Sequence, residues 1–222
     1  MSLDRQHSFW GSLSPLGGLS GAGLLIMASA RLSWAITTAL GLLWVYGLTS
    51  FTFTLLLTAA DGKILPSSGR AHVFTCIASF FGSAYLLMIL LFCPFAAIEV
   101  FIPLLLIPLF CTGSGIFEQI SAPPENSRLD IFDHVSDAIA QAAVLAVLLV
   151  SFSIIREPLS FCSLSFPGTF RGMITIVNFK AGSFFPIGIF ATSAGALLLL
   201  GYFICLYQYC KSVFFRETLR NE

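Results

Sequence analysis

Glu99 is the only acidic residue between Arg70 and Glu118, and it lies just before Pro103 where an apolar segment begins. A carboxylate inside a membrane segment is by default a proton or cation site. At the N-terminal end of such a segment it is an interfacial charge favoured by the helix macrodipole, and Glu99's position favours this second reading. Asp130, Asp133 and Asp137 recur at helical spacing and share one helix face. That cluster reads first as charge stabilisation of a helix start and second as a cation-attracting patch, so Glu99, Asp130 and Asp133 are the candidate ion-path residues. Arg156 and Glu157 close an apolar run just ahead of Pro158. Such a pair marks a membrane interface or pins a helix to a partner subunit. His7, His72 and His134 all stand at segment edges and read as surface histidines. Of the six cysteines, only Cys162 stands apart from the apolar runs. The other five read as small packing residues, and their scatter is not a disulfide framework. Nucleotide-binding loops, zinc-ligand spacings and nucleophile elbows are missing from the sequence.

The elements that must position these residues are apolar. Residues 32–60, 73–98, 100–117, 138–155 and 181–210 contain no Asp, Glu, Lys or Arg. About 18 or more such residues cross a bilayer core as a helix. The runs are continuous rather than alternating, which excludes barrel strands. Charged residues make up 10% of the 222, and the mean hydropathy is +0.91. A soluble domain carries about 25% charge, so 1–222 is read as one integral membrane domain. Zero net charge gives no basis for nucleic-acid binding. Six segments are expected, at about 16–30, 33–58, 72–93, 97–117, 132–155 and 184–209. The first is short and rich in glycine, and the fourth carries Pro103 and Pro108, each expected to kink or break it. The fifth is expected to stop at Arg156-Glu157-Pro158, followed by a long apolar loop lying in the interface. Gly17 with Gly21, and Ala191 with Gly195, are small-residue pairs suited to close helix approach.

With six crossings, Arg5, Lys63, Arg70, Arg128, Lys211, Arg216 and Arg220 share one side, against Arg31, Arg156, Arg171 and Lys180 on the other. The positive-inside rule then places both termini in the cytoplasm. Segments one and four are both short or interrupted, and each is followed by two ordinary spans. This pattern suggests two three-helix units of inverted topology.

Segments four to six resemble the Rnf/Nqr family of membrane subunits. Val100-Phe101-Ile102-Pro103-Leu104-Leu105 resembles the opening of that family's fourth helix, and Gly113 falls in register with its glycine. Ser127, Leu129 and Asp130 resemble the start of its fifth helix. Ile155-Arg156-Glu157-Pro158-Leu159, followed by Cys162-Ser163-Leu164, resembles the exit from that helix. Ala194-Gly195-Ala196-Leu197 through Leu200-Gly201 is similar to the last helix of the RnfE/NqrD-type subunit. The likeness covers about 95–210 well and 1–95 weakly. It implies six helices in an inverted repeat within a bacterial inner-membrane complex that couples electron transfer to Na⁺ or H⁺ movement. It also implies a homologous partner subunit of opposite orientation, other complex subunits, and an iron–sulfur cluster (2Fe–2S) shared through cysteines of the first and fourth helices. Here the family's cysteine positions fall on Ser20 and Leu109, while Cys111 lies two residues on. Two residues rotate a helix by about 200°, so either the cluster has been lost, the favoured reading, or Cys111 substitutes through a local break at Pro108.

The expectation is therefore a non-catalytic scaffold and ion-path subunit of a redox-driven translocase. A small secondary transporter built around Glu99, or a structural membrane protein, are the alternatives.

Overall fold

The computed structural model describes residues 15–59, 67–113, 129–168, 173–178 and 187–218. Lys63, Glu118, Arg128, Arg171, Lys180 and the N-terminal charges, on which much of the charge count rests, lie outside them. Six α-helices occupy the described chain: α1 Pro15–Ala28, α2 Leu32–Ala59, α3 Ser67–Phe92, α4 Pro94–Gly113, α5 Leu129–Phe161 and α6 Ser193–Thr218. Between α5 and α6 come strands β1 Ser163–Pro167 and β2 Met173–Asn178, then a 3₁₀ turn Gly188–Ala191. Windows Leu32–Ala59, Gly69–Phe92 and Val135–Phe161 are long and apolar enough to cross a membrane. Ala97–Cys111 and Ser193–Leu206 are apolar but shorter. These spans define a helical membrane protein.

α1 packs along α4, and α2 along α5, with α3 against α2 and α4. Side-chain pairs give the directions. Trp34 meets Glu99 and Tyr46 meets Phe110, so α2 and α4 run parallel. Phe53 stacks edge-on against Phe74, and the Tyr85 hydroxyl donates to the Thr37 carbonyl at 2.8 Å, so α2 and α3 run antiparallel. The core holds Leu24, Leu42, Val45, Phe53, Phe74, Val100 and Ile107. In contrast, Phe80, Leu87, Leu91 and Phe92 of α3, and Leu197, Leu198, Tyr202 and Ile204 of α6, are exposed. Exposed apolar side chains on long apolar helices face lipid or another protein.

The sequence reading needs correction at four places. α4 is continuous through Pro103 and Pro108, so it is short but unbroken. Pro108 lies against α3, where a Cβ at Gly82 would approach its Cγ to 3.0 Å. α5 does not stop at Arg156-Glu157-Pro158 but runs on to Phe161. α3 begins at Ser67, so Arg70 and His72 belong to its first turns. α6 begins at Ser193, with Thr192 at its N-cap accepting the Gly195 N–H at Oγ1 (3.3 Å) and donating that hydroxyl to Ile189 O (2.6 Å).

The long connection is a hairpin. β1 pairs antiparallel with β2, Ser163 opposite Asn178 and Pro167 opposite Met173, with an irregularity between Leu164 and Ser165. Phe166, Ile174 and Ile176 on it are exposed.

Cys162 joins α5 to β1 with φ 52°, in the left-handed region, and donates its N–H to the Pro158 carbonyl at 3.0 Å. This is an αL helix cap, a position that glycine fills without strain. Cys162→Gly is expected to keep or raise the thermal midpoint in detergent. The β-branched Cys162→Val is expected to lower stability by about 1–2 kcal/mol.

Candidate functional site

Arg156 and Glu157 are each only 1% exposed. Neither uses the other as its partner in the hydrogen bonds described. The Arg156 guanidinium donates from Nε to Phe190 O (2.8 Å), and from Nη1 to Ile26 O (2.6 Å) and Ser29 Oγ (2.8 Å). Its Nη2 donates to Ala191 O (3.3 Å) and Thr192 O (3.1 Å). Ile26 is in the last turn of α1, and Phe190, Ala191 and Thr192 close the 3₁₀ turn. Arg156 thus gathers two helix ends whose carbonyls have no intrahelical partners. Glu157 does the reverse. Its Oε2 accepts the Leu32 N–H at 2.7 Å, at the positive N-terminus of α2. The cation sits on negative helix poles and the anion on a positive one. The fixed fork of arginine is the side chain that can serve several acceptors at once. Ser165 Oγ donates to Ser33 Oγ at 3.3 Å, and Ile187 N–H to Leu159 O at 2.9 Å, tying the hairpin side to the same knot.

Beside this knot lies a second polar group. Glu99 is exposed, and its Oε2 accepts from the Trp34 indole N–H at 2.8 Å. Arg31 places its guanidinium carbon 5.7 Å from the Trp34 ring and 5.2 Å from the Phe161 ring, and its Nη1 donates to Met173 Sδ at 3.0 Å. Glu99 therefore stands at the edge of the bundle, in the second turn of α4, and not in its interior.

Asp130 and Asp133 occupy the first turns of α5, as the helical spacing requires, while their side chains lie outside the described residues. Gly113 ends α4. Cys111 is buried among α1, α2 and α4 and hydrogen-bonds with Tyr46, whereas Leu109 is exposed. The break at Pro108 that would turn Cys111 into the family's thiolate position is not formed. Ser20 is within α1. Among the described residues, no group of three or more His, Cys, Asp or Glu side chains gathers where a metal could bind. A lone thiol turned into an apolar core does not fit the thiolate pair that each subunit would give to a shared cluster.

A cavity of about 150 Å³ opens between α3 and α4, lined by Thr75, Ser79, Gly82, Ser83, Leu104 and Pro108. Its Thr75 and Ser83 hydroxyls donate to carbonyls of their own helix, Ala71 O and Ser79 O. Among the described residues that line it, none is charged.

Sequence reasoning missed the buried hydroxyls of the α2–α5 layer. Thr38, Thr49 and Ser50 of α2 and Ser153 of α5 have no hydrogen-bond partner among the described residues. Thr38 and Thr49 share a helix face but are separated along it by the buried Leu42 and Val45. The only sequence signal for them was small hydroxyl residues inside uncharged windows.

No protein-family model matches the chain, and no curated protein matches it.

Proposed function

We propose that the chain is an RnfE/NqrD-type membrane subunit of an Rnf/Nqr complex in a bacterial inner membrane. It acts as scaffold in a redox-driven Na⁺ or H⁺ translocase, without a catalytic group of its own. The observation that carries this is the antiparallel pairing of α1 with α4 and of α2 with α5. Exchange α1 with α4, α2 with α5 and α3 with α6. The α1–α4 and α2–α5 pairs then map onto themselves, and both are antiparallel: Gly21 meets Phe110 while Gly23 meets Leu106, and Leu32 meets Glu157 while Gly47 meets Ile139. The other pairs correspond only loosely: α3 and α2 pack extensively on α4, whereas α6 and α5 touch α1 at few places. α5 and α6 meet through Phe152 and Phe203, a slighter contact than that of α2 with α3. Two antiparallel pairs of this kind are what two inverted three-helix units would produce, with six crossings and both termini on one side.

Leu109 facing outward and Cys111 facing the core support loss of the cluster in this subunit. The open faces of α3 and α6 offer the surface a homologous subunit needs. The test is purification of the tagged chain from its own membranes in mild detergent. A homologous membrane subunit and a flavin-carrying subunit are expected to co-purify, with the iron content of the complex unchanged by Cys111→Ala. Recovery of the chain alone would refute the assignment. Solute flux in liposomes holding the chain alone, abolished by Glu99→Gln, would favour the small transporter, for which the exposed Glu99 carboxylate is the supporting observation.

A further inference from the structure

Arg31 and Glu99 are opposite charges joined through one side chain and not to each other. Arg31 stands over the face of the Trp34 indole, and Glu99 takes its N–H at the edge. Among the described residues, the guanidinium's hydrogen bond is to the Met173 thioether, a weak acceptor. Its remaining donors face two aromatic rings, which attract the cation but accept no strong hydrogen bond. Glu99 in turn has one described donor for a carboxylate with about four acceptor positions. Two under-used charges at a fixed spacing on one indole ask for a ligand that carries both signs.

Depth and surroundings narrow the ligand. Arg31 directly precedes the 28-residue apolar helix α2, so it stands at the end of a membrane span, at headgroup level. From the level of Glu99 downward, α4 exposes Ile98, beside it, and then Ile102 and Leu105, spaced to share one helix face. That stripe suits an acyl chain descending from the headgroup. The exposed apolar hairpin residues Phe166, Ile174 and Ile176 border the Arg31 side, on the element that contributes Met173. Among the described residues, the charged pair Arg156 and Glu157 is already committed to helix ends.

We infer that Arg31, Trp34 and Glu99 form a site for a zwitterionic phospholipid headgroup bearing a primary ammonium, its phosphate on Arg31 and its ammonium on Glu99. Guanidinium and phosphate match in geometry and charge. A primary ammonium donates hydrogen bonds to the carboxylate, which a quaternary choline cannot do, so phosphatidylethanolamine is preferred over phosphatidylcholine. An anionic lipid such as phosphatidylglycerol meets repulsion from Glu99.

The experiment is native mass spectrometry of the full chain in detergent, titrated separately with phosphatidylethanolamine, phosphatidylcholine, phosphatidylglycerol and inorganic phosphate. The wild-type chain is expected to retain phosphatidylethanolamine about tenfold better than either other lipid, the size of one charge-assisted hydrogen bond. Glu99→Gln is expected to bring the three lipids to parity, and Arg31→Gln to weaken all three. Equal retention of the three lipids by the wild-type chain overturns the proposal without recourse to any variant. Retention of inorganic phosphate as strong as that of the lipid overturns it in favour of a free-phosphate site. Both variants change exposed or half-buried side chains, and their melting midpoints in detergent check that they fold.

Discussion

Arg156→Gln is expected to melt the end of the bundle where α1, α2, α5 and the 3₁₀ turn meet. The guanidinium satisfies four carbonyls and one hydroxyl. A glutamine amide has two N–H donors and cannot span from Ile26 to Thr192. Each buried carbonyl left without a donor costs about 1–3 kcal/mol, so the loss is about 3–5 kcal/mol in all. Arg156→Lys is expected to fall between, because a single ammonium keeps the charge but loses the fork. The sharper variant exchanges the two charges, Arg156→Glu together with Glu157→Arg. Net charge and local composition stay the same, so a pair that merely marked an interface would tolerate it. Here the carboxylate would face the carbonyls of Phe190, Ala191 and Thr192, and the guanidinium would face the Leu32 N–H. Each charge would then stand at a helix pole of its own sign. The exchanged protein is expected not to accumulate as a monodisperse species, measured by fluorescence-detected size exclusion after graded heating. A wild-type midpoint for the exchanged protein would show that the pair does not act through helix ends.

Why this pair was misread in the sequence is physical. Charge followed by proline at the end of an apolar run is a sound local sign of a helix stop, since proline removes a donor and crowds the preceding turn. In the fold the donors and acceptors of 156–157 are met by residues about 30 to 130 positions away in sequence, such as Thr192 and Ile26. No local window displays that. The spans themselves were legible because burial in lipid is written in composition: α2 at Leu32–Ala59 matches the uncharged window almost to the residue. The hairpin was half legible. Ile174-Thr175-Ile176 alternates with period two, a strand signal. It went unread because strands are not expected between membrane helices. The prolines of α4 misled in the same direction as Pro158, since a break was expected and the helix runs on, with Pro108 packed against Gly82. Of the candidate site residues, Glu99 was expected at the start of its segment, and it lies exposed in the second turn of α4. Its indole partner came from another helix and could not be read.

Gly195→Ala is the second large effect expected, and it acts on the same knot from the other side. The sequence paired Gly195 with Ala191 as a close-approach motif between helices. The approach is instead within one connection: a Cβ at Gly195 would overlap the carbonyl oxygen of Ile189 and come within 2.6 Å of its carbon and 2.7 Å of Phe190 Cα. All three are backbone atoms, so no rotamer change relieves them. Either α6 or the 3₁₀ turn must move. The turn cannot move freely, because Phe190, Ala191 and Thr192 present their carbonyls to Arg156. The strain is therefore shared between a displaced α6 start and stretched Arg156 bonds, at about 1–3 kcal/mol for an overpacked site. This coupling can be measured. In an Arg156→Lys background the turn is already partly released, so Gly195→Ala is expected to cost less there than in the wild-type chain. The difference is a double-mutant interaction energy of about 0.5–3 kcal/mol, read from thermal midpoints in detergent. Strict additivity would mean that the turn is held by α6 alone and that Arg156 only follows it.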